Sequence, residues 1–304
     1  MRSCRRVPDR TDGTVNFAVN SLAPLPVMSD YRIIGGEMSS VGSVGVAQAG
    51  TLDARRKRRI KHTRTSMRAG RRPTYRWWRH AAALAAISAT TIAVSVSQLI
   101  RVTPLEWICF GGFLLLANFG EYWLHRIPFH NPIIPDFTYY GHTREHHAFF
   151  GYERMAIDDL NDLRFVMFDL GVELLTIAGA IPLAALFYFG ASHNLGWLFM
   201  LAVICYYSIY EVTHALSHLP AGNPIGEMKA VKAMSYHHRV HHDARLMRHY
   251  NFNFAVPIFD WMFGTKYRGP APSRAETIPS AAAHQTSSAG HRAASREAGL
   301  GRMS

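Results

Sequence analysis

From Leu174 to Tyr210 the chain runs for 37 residues without an Asp, Glu, Lys or Arg. As one α-helix this stretch would measure about 55 Å, against a bilayer hydrocarbon core of about 30 Å. It has to turn back on itself, and GASHNLG at 190–196 supplies small and polar residues for the turn. Two further apolar runs precede it: residues 81–100 carry no charge, and residues 105–120 carry only Glu106 near their start. The pattern predicts an all-α integral membrane protein with four transmembrane helices in two hairpins. One alternative is a buried soluble helical core, although cores seldom run so far without charge. Another is a cleaved signal peptide at 81–100, which would break the even number of crossings.

The formal net charge of +12 suggests nucleic acid until the charge is located. Residues 54–79 hold twelve Lys/Arg and no acid, and the rest of the chain is neutral. This block flanks the first crossing, where basic residues stay cytoplasmic, and Trp77 and Trp78 suit the interface. Four crossings then leave both termini and both long polar segments, 121–163 and 211–304, on the cytoplasmic side. The block lacks interleaved aromatics away from the membrane edge, so no nucleic-acid partner is expected. Residues 1–53 and 269–304 are expected to be disordered, 54–79 to form a basic juxtamembrane segment, and 80–268 to form the membrane domain. Met67 offers an alternative start to Met1. Cys4, Cys109 and Cys205 contain no CxxC and build neither a disulfide framework nor a thiolate metal site.

The 17 histidines are not scattered. EYWLHRIPFH gives His125 and His130, GHTREHH gives His142, His146 and His147, YEVTHALSH gives His214 and His218, and SYHHRVHHD gives His238, His241 and His242. Each box lies just beyond a predicted membrane exit, which makes a histidine-rich helical cap on one face. Residues three or four apart share a helix face, so His142/His146, His214/His218 and His238/His242 are each expected to aim two rings at one point. The doubled HH ends add a ring turned by about 100° that can serve a second metal. Pro128 ends the helix between His125 and His130, leaving His130 to reach in from the turn. Ten rings exceed the four ligands of a structural zinc, whereas two metals could use them all. Imidazole suits iron, zinc, copper and nickel alike, and binding should weaken as pH falls toward the imidazole pKa. Glu121, Glu145, Glu211, Asp243, Asp159 and Asp162 stand near the boxes as candidates to hold the outer ring nitrogens. His237 and His249 are extra to the pattern, with His237 a candidate near-site donor. His62, His80, His193, His284 and His291 read as bystanders.

The order HX4H, HX3HH, HX3H, HX2HH and the tail HHDARLMRHYNFNFAVPIFDWMFGT resemble the fatty acid hydroxylase/sterol desaturase superfamily of membrane di-iron proteins, over residues 105–266. The resemblance implies that His125, His130, His142, His146, His147, His214, His218, His238, His241 and His242 ligate two iron ions, with zinc able to substitute. It makes 80–268 a membrane di-metal hydroxylase domain that uses O2 as co-substrate on a membrane lipid, either an acyl chain or a head group. Electrons would come from a separate protein of ferredoxin or cytochrome b5 type, because no cytochrome b5-like segment is fused to this chain. Desaturation, sterol oxidation and carotenoid oxidation share this box style and stay open. A zinc hydrolase using His142, Glu145 and His146 (H-x-x-E-H) is a distant alternative that leaves three boxes unexplained. A non-enzymatic metal store or transporter is another, although transport would favour ligands inside the crossings.

Overall fold

The computed structural model describes residues 44–133 and 136–272, among which there are helices and no strands. The long helices are α1 (Val44–Ala69), α2 (Trp77–Ser97), α3 (Pro104–Arg126), α4 (Leu170–Gly190) and α5 (His193–Ser217). Two shorter ones follow, α6 (Lys229–His241) and α7 (Ile258–Met262). The connection from α3 to α4 contains a π-helical turn, Tyr140–His146, and a 3-10 helix, Leu160–Phe165. α1 begins inside the stretch expected to be disordered. The expectations for 1–43 and 273–304 lie outside the described residues. Residues up to Ala54 form a unit of their own, and all the contacts described here belong to the unit from Arg55 onward.

Among the described residues three helical stretches are long and apolar enough to cross a membrane: Trp77–Ser97, Leu160–Gly190 and His193–Ser217. The long charge-free run turns back between Gly190 and His193. The second expected crossing, α3, has 23 residues, but its polar and aromatic content keeps it out of this set. α5 is the central helix and packs against α2, α3 and α4. It buries Leu198, Phe199, Leu201, Ala202 and Ile204, whereas α4 turns Leu174, Leu175, Ile181, Leu186 and Phe189 outward. Outward apolar faces of this extent call for a non-aqueous surround.

Glu106, the one charge of the second apolar run, closes one end of the bundle. It forms a capping box with Thr103 and accepts from Ser192 Oγ at 2.5 Å and Asn194 Nδ2 at 3.2 Å. Asn194 also exchanges two bonds with the backbone of Ile100. The histidines gather at the opposite end, where α3 finishes and α5 runs out. A second core of Leu84, Phe149, Phe150, Ile157 and Phe165 joins that polar end to α2.

Gly196 lets α5 lie close on α4. A Cβ there would meet Tyr188 Cβ at 2.7 Å and the Ala184 carbonyl at 2.8 Å. Gly196→Ala is expected to destabilise the protein by about 1–3 kcal/mol, read as a lower thermal unfolding midpoint in detergent. Gly111→Ala, whose Cβ meets nothing within 4 Å, should leave the midpoint unchanged or raise it.

Candidate metal centre

Ten histidine rings converge at this end. The Nε2 atoms of His125, His130, His142, His147 and His241 form a first group, and those of His146, His218, His238 and His242 a second. His214 stands beside the second group, its Nε2 at 3.2 Å from that of His146. The last turn of α3 supplies His125. Just beyond it Phe129 N bonds back to the Leu124 carbonyl at 3.0 Å, and this widened turn brings His130 round to stack on His125 at 5.3 Å.

The π-helical turn changes the expected pairing. On an α-helix His142 and His146 would share a target, but here His142 pairs with His147, Nε2 to Nε2 at 3.0 Å, and His146 faces the second group. The wider turn places residues five apart on one face. Adjacent rings therefore separate: His147 and His241 join the first group, His146 and His242 the second. The H-x-x-E-H hydrolase reading requires His142 and His146 on one ion, and this division contradicts it.

The outer nitrogens decide what the inner ones can be. His146 Nδ1 donates to the Phe165 carbonyl at 2.7 Å and His242 Nδ1 to the Phe150 carbonyl at 2.5 Å. With those protons placed, both Nε2 atoms are bare, yet they lie 3.0 Å apart. The first group repeats the arrangement. His241 Nδ1 donates to the Tyr250 carbonyl at 2.9 Å, and His130 Nδ1 faces Thr143 Oγ1, which gives its own proton to the Phe129 carbonyl. Their Nε2 atoms are also 3.0 Å apart. Two lone pairs at this distance repel unless a cation sits between them. Nitrogens ~2.1 Å from one metal and ~90° apart would be separated by ~3.0 Å, while tetrahedral angles would give ~3.4 Å. The donor set fits a metal in each group.

Burial keeps the rings neutral. Desolvation, followed by neighbouring imidazoles, drives His130 down to about 2, and desolvation holds His146 at about 4. His142, His147, His238, His241 and His242 are pushed well below the ordinary histidine value for the same first reason. Protonation of the folded site is thus delayed far below the pH at which free imidazole would give up a metal.

The carboxylates near the boxes do other work, which corrects the expectation that they hold ring nitrogens. Main-chain carbonyls take that role at Phe150, Met155, Phe165, Tyr250 and Phe252. Glu121 accepts from the Phe254 amide, Asn253 Nδ2 and the Tyr206 hydroxyl, so it fixes the strand of chain that offers the Phe252 carbonyl to His125. Asp260 completes that hold by accepting the Phe252 and Asn253 amides, and it also faces His237 at 3.4 Å. Glu211 accepts the Phe168 amide, Asp162 pairs with Arg68, Asp159 caps Asn161, Asp243 pairs with Arg245, and Glu145 lies 4.0 Å from Arg164. His80 and His193 bond to the Phe168 and Gln98 carbonyls, away from both groups. Backbone carbonyl acceptors have no residue-type signature, so no reading of side chains alone could have found them.

Among the described residues, fold and site together give apolar, membrane-length helices and two histidine groups that could each hold a metal ion. A model of the fatty acid hydroxylase family matches residues 110–265, just over half of the chain. The chain belongs to that family, which implies an oxygenase. No curated protein and no solved structure matches it.

In metal-free protein the unfolded chain's imidazoles take up protons from about pH 6.5, while the buried rings wait until the values given above. Through that window the unfolded state binds more protons, so stability must fall as pH falls. The unfolding midpoint of metal-free protein in detergent is expected to drop between about pH 7 and 5, and His146→Gln should flatten the slope. A midpoint independent of pH over this range would overturn the neutral-ring assignment.

Proposed function

We propose that this protein is a membrane-bound, O2-dependent lipid hydroxylase with an iron ion in each histidine group. The observation that carries the reading is the two pairs of bare Nε2 atoms, His130/His241 and His146/His242, each held together where only a cation relieves the repulsion. His125, His130, His142, His147 and His241 would hold one ion. His146, His218, His238 and His242 would hold the other, with His214 beside them. When bound, the metal pair supplies the O2 activation that an unactivated C–H bond requires and no side chain provides. Hydroxylation consumes two electrons with each O2, so a separate donor of ferredoxin or cytochrome b5 type belongs to the reading.

The chain's own residues prepare the site. The carbonyls of Phe150, Phe165 and Tyr250 fix which nitrogen of each ring faces inward. The rings of Phe129 and Phe254 lie against His142, His214 and His238 at 4.7–5.0 Å and keep water from the rings. In our reading α3 is the fourth crossing. Its 23 residues span about 35 Å, its Glu106 and Glu121 are buried against protein, and Ile108, Leu115, Leu116 and Trp123 face out. The basic block then sets the histidine end and both termini on the cytoplasmic side. A lipid would reach the centre from the bilayer with its polar group at that interface.

Protein purified from iron-supplemented cells is expected to hold two irons per chain, and His238→Ala or His242→Ala should lose metal and bring product to background. Lipid extracts from cells with and without the protein should differ by species carrying one added oxygen. Loss of two hydrogens would instead identify a desaturase, and a sterol or carotenoid product would name the substrate class. Full activity without the ligand histidines would rule the reading out.

A further inference from the structure

The basic block reads as a membrane-edge charge cluster, but Arg64 does not serve it: this residue is 1 % exposed. A buried guanidinium is tolerated only when its N–H groups find acceptors. Arg64 Nε donates to the Phe149 carbonyl at 2.9 Å, and Nη2 to the Arg154 and Ala156 carbonyls at 3.0 and 2.9 Å. Nη1 pairs with Asp158 at 3.0 Å. The guanidinium also lies 4.5 Å over the Phe149 ring and 5.1 Å from that of Phe150.

These acceptors alternate along the chain with those of the histidines. The Phe150 carbonyl receives His242 Nδ1 at 2.5 Å, and the Met155 carbonyl receives His218 Nδ1 at 2.6 Å. Ile157 N donates to the His218 carbonyl at 3.0 Å. The Phe150 ring touches His218 at 4.1 Å between centroids, on the way from Arg64 to that ring. The first group draws its carbonyls from Tyr250 and Phe252, which Arg64 does not touch.

We propose that Arg64 is a positioning residue for the second metal only: it fixes loop 149–158 so that His218 and His242 present Nε2 inward. This rests on the metal-centre reading above. Only the planar fork of arginine serves three carbonyls and a carboxylate at once, and lysine cannot replace it.

The test uses full-length protein in detergent, loaded with Zn2+ as a redox-silent probe, and follows zinc release to EDTA. Wild type should release two zincs per chain. In Arg64→Ala, and more mildly in Arg64→Gln, one zinc per chain should leave at least about tenfold faster while the other keeps its wild-type rate. Arg64→Lys should not restore the slow phase. Arg68→Ala, which removes ion pairs with Asp158 and Asp162 but no bond to a carbonyl, should keep both rates. A merely structural role would speed both phases together, and that result, or two unchanged rates in Arg64→Ala and Arg64→Gln, overturns the proposal. Wild-type protein that binds no metal would instead remove the metal-centre reading itself.

Discussion

Five of the ten rings at the polar end of this bundle are held by hydrogen bonds from imidazole Nδ1–H to main-chain carbonyls, and the order of that end depends on them. Each such bond removes the tautomeric freedom of a ring and leaves its other nitrogen as a pure acceptor. A carbonyl is a firmer anchor than a carboxylate. It has no rotamers of its own and carries no charge that would need compensation in a dry site. The cost is that the intervening chain must be held very still. Glu121 and Asp260 do this for residues 252–255, and Arg64 does it for residues 149–158. Glu121 and Asp260 act on His125 one step removed, by holding the backbone that holds its ring.

The bundle supplies the distance and the dryness. α3 and α5 each bring a histidine near their ends, and both are anchored at the opposite end by the Glu106–Ser192–Asn194 knot. Because Gly196 permits close packing of α4 on α5, the centre rests on a tight helical scaffold. The rings on it are buried enough to stay neutral, and neutrality is what a ligand set of imidazoles needs.

Much of this could be read from the sequence, because the signals involved are local. Charge-free runs give apolar helices, and GASHNLG gives the reversal. Histidine boxes give a polyhistidine centre, since imidazoles are seldom spent in clusters. What could not be read depends on pitch and on the main chain. The π turn reassigned His146 and His147 between the two groups, and a spacing rule written for 3.6 residues per turn had no means to anticipate it. The carbonyl acceptors are invisible in a string of side chains. Arg64 was hidden among eleven other basic residues of one block. Its position also bears on Met67, the alternative start: a chain beginning there would lack the clamp.

The π turn carries one more consequence. Residues 140–146 combine a connection between helices with the register of three of the histidine rings, His142, His146 and the following His147. Wound at ordinary α pitch, the same residues would put His147, five places on, about 140° round the axis from His142 and part the two rings, with every histidine still in the chain. In this segment the pitch of the helix decides which rings meet, and the spacing of the histidines has meaning only together with that pitch.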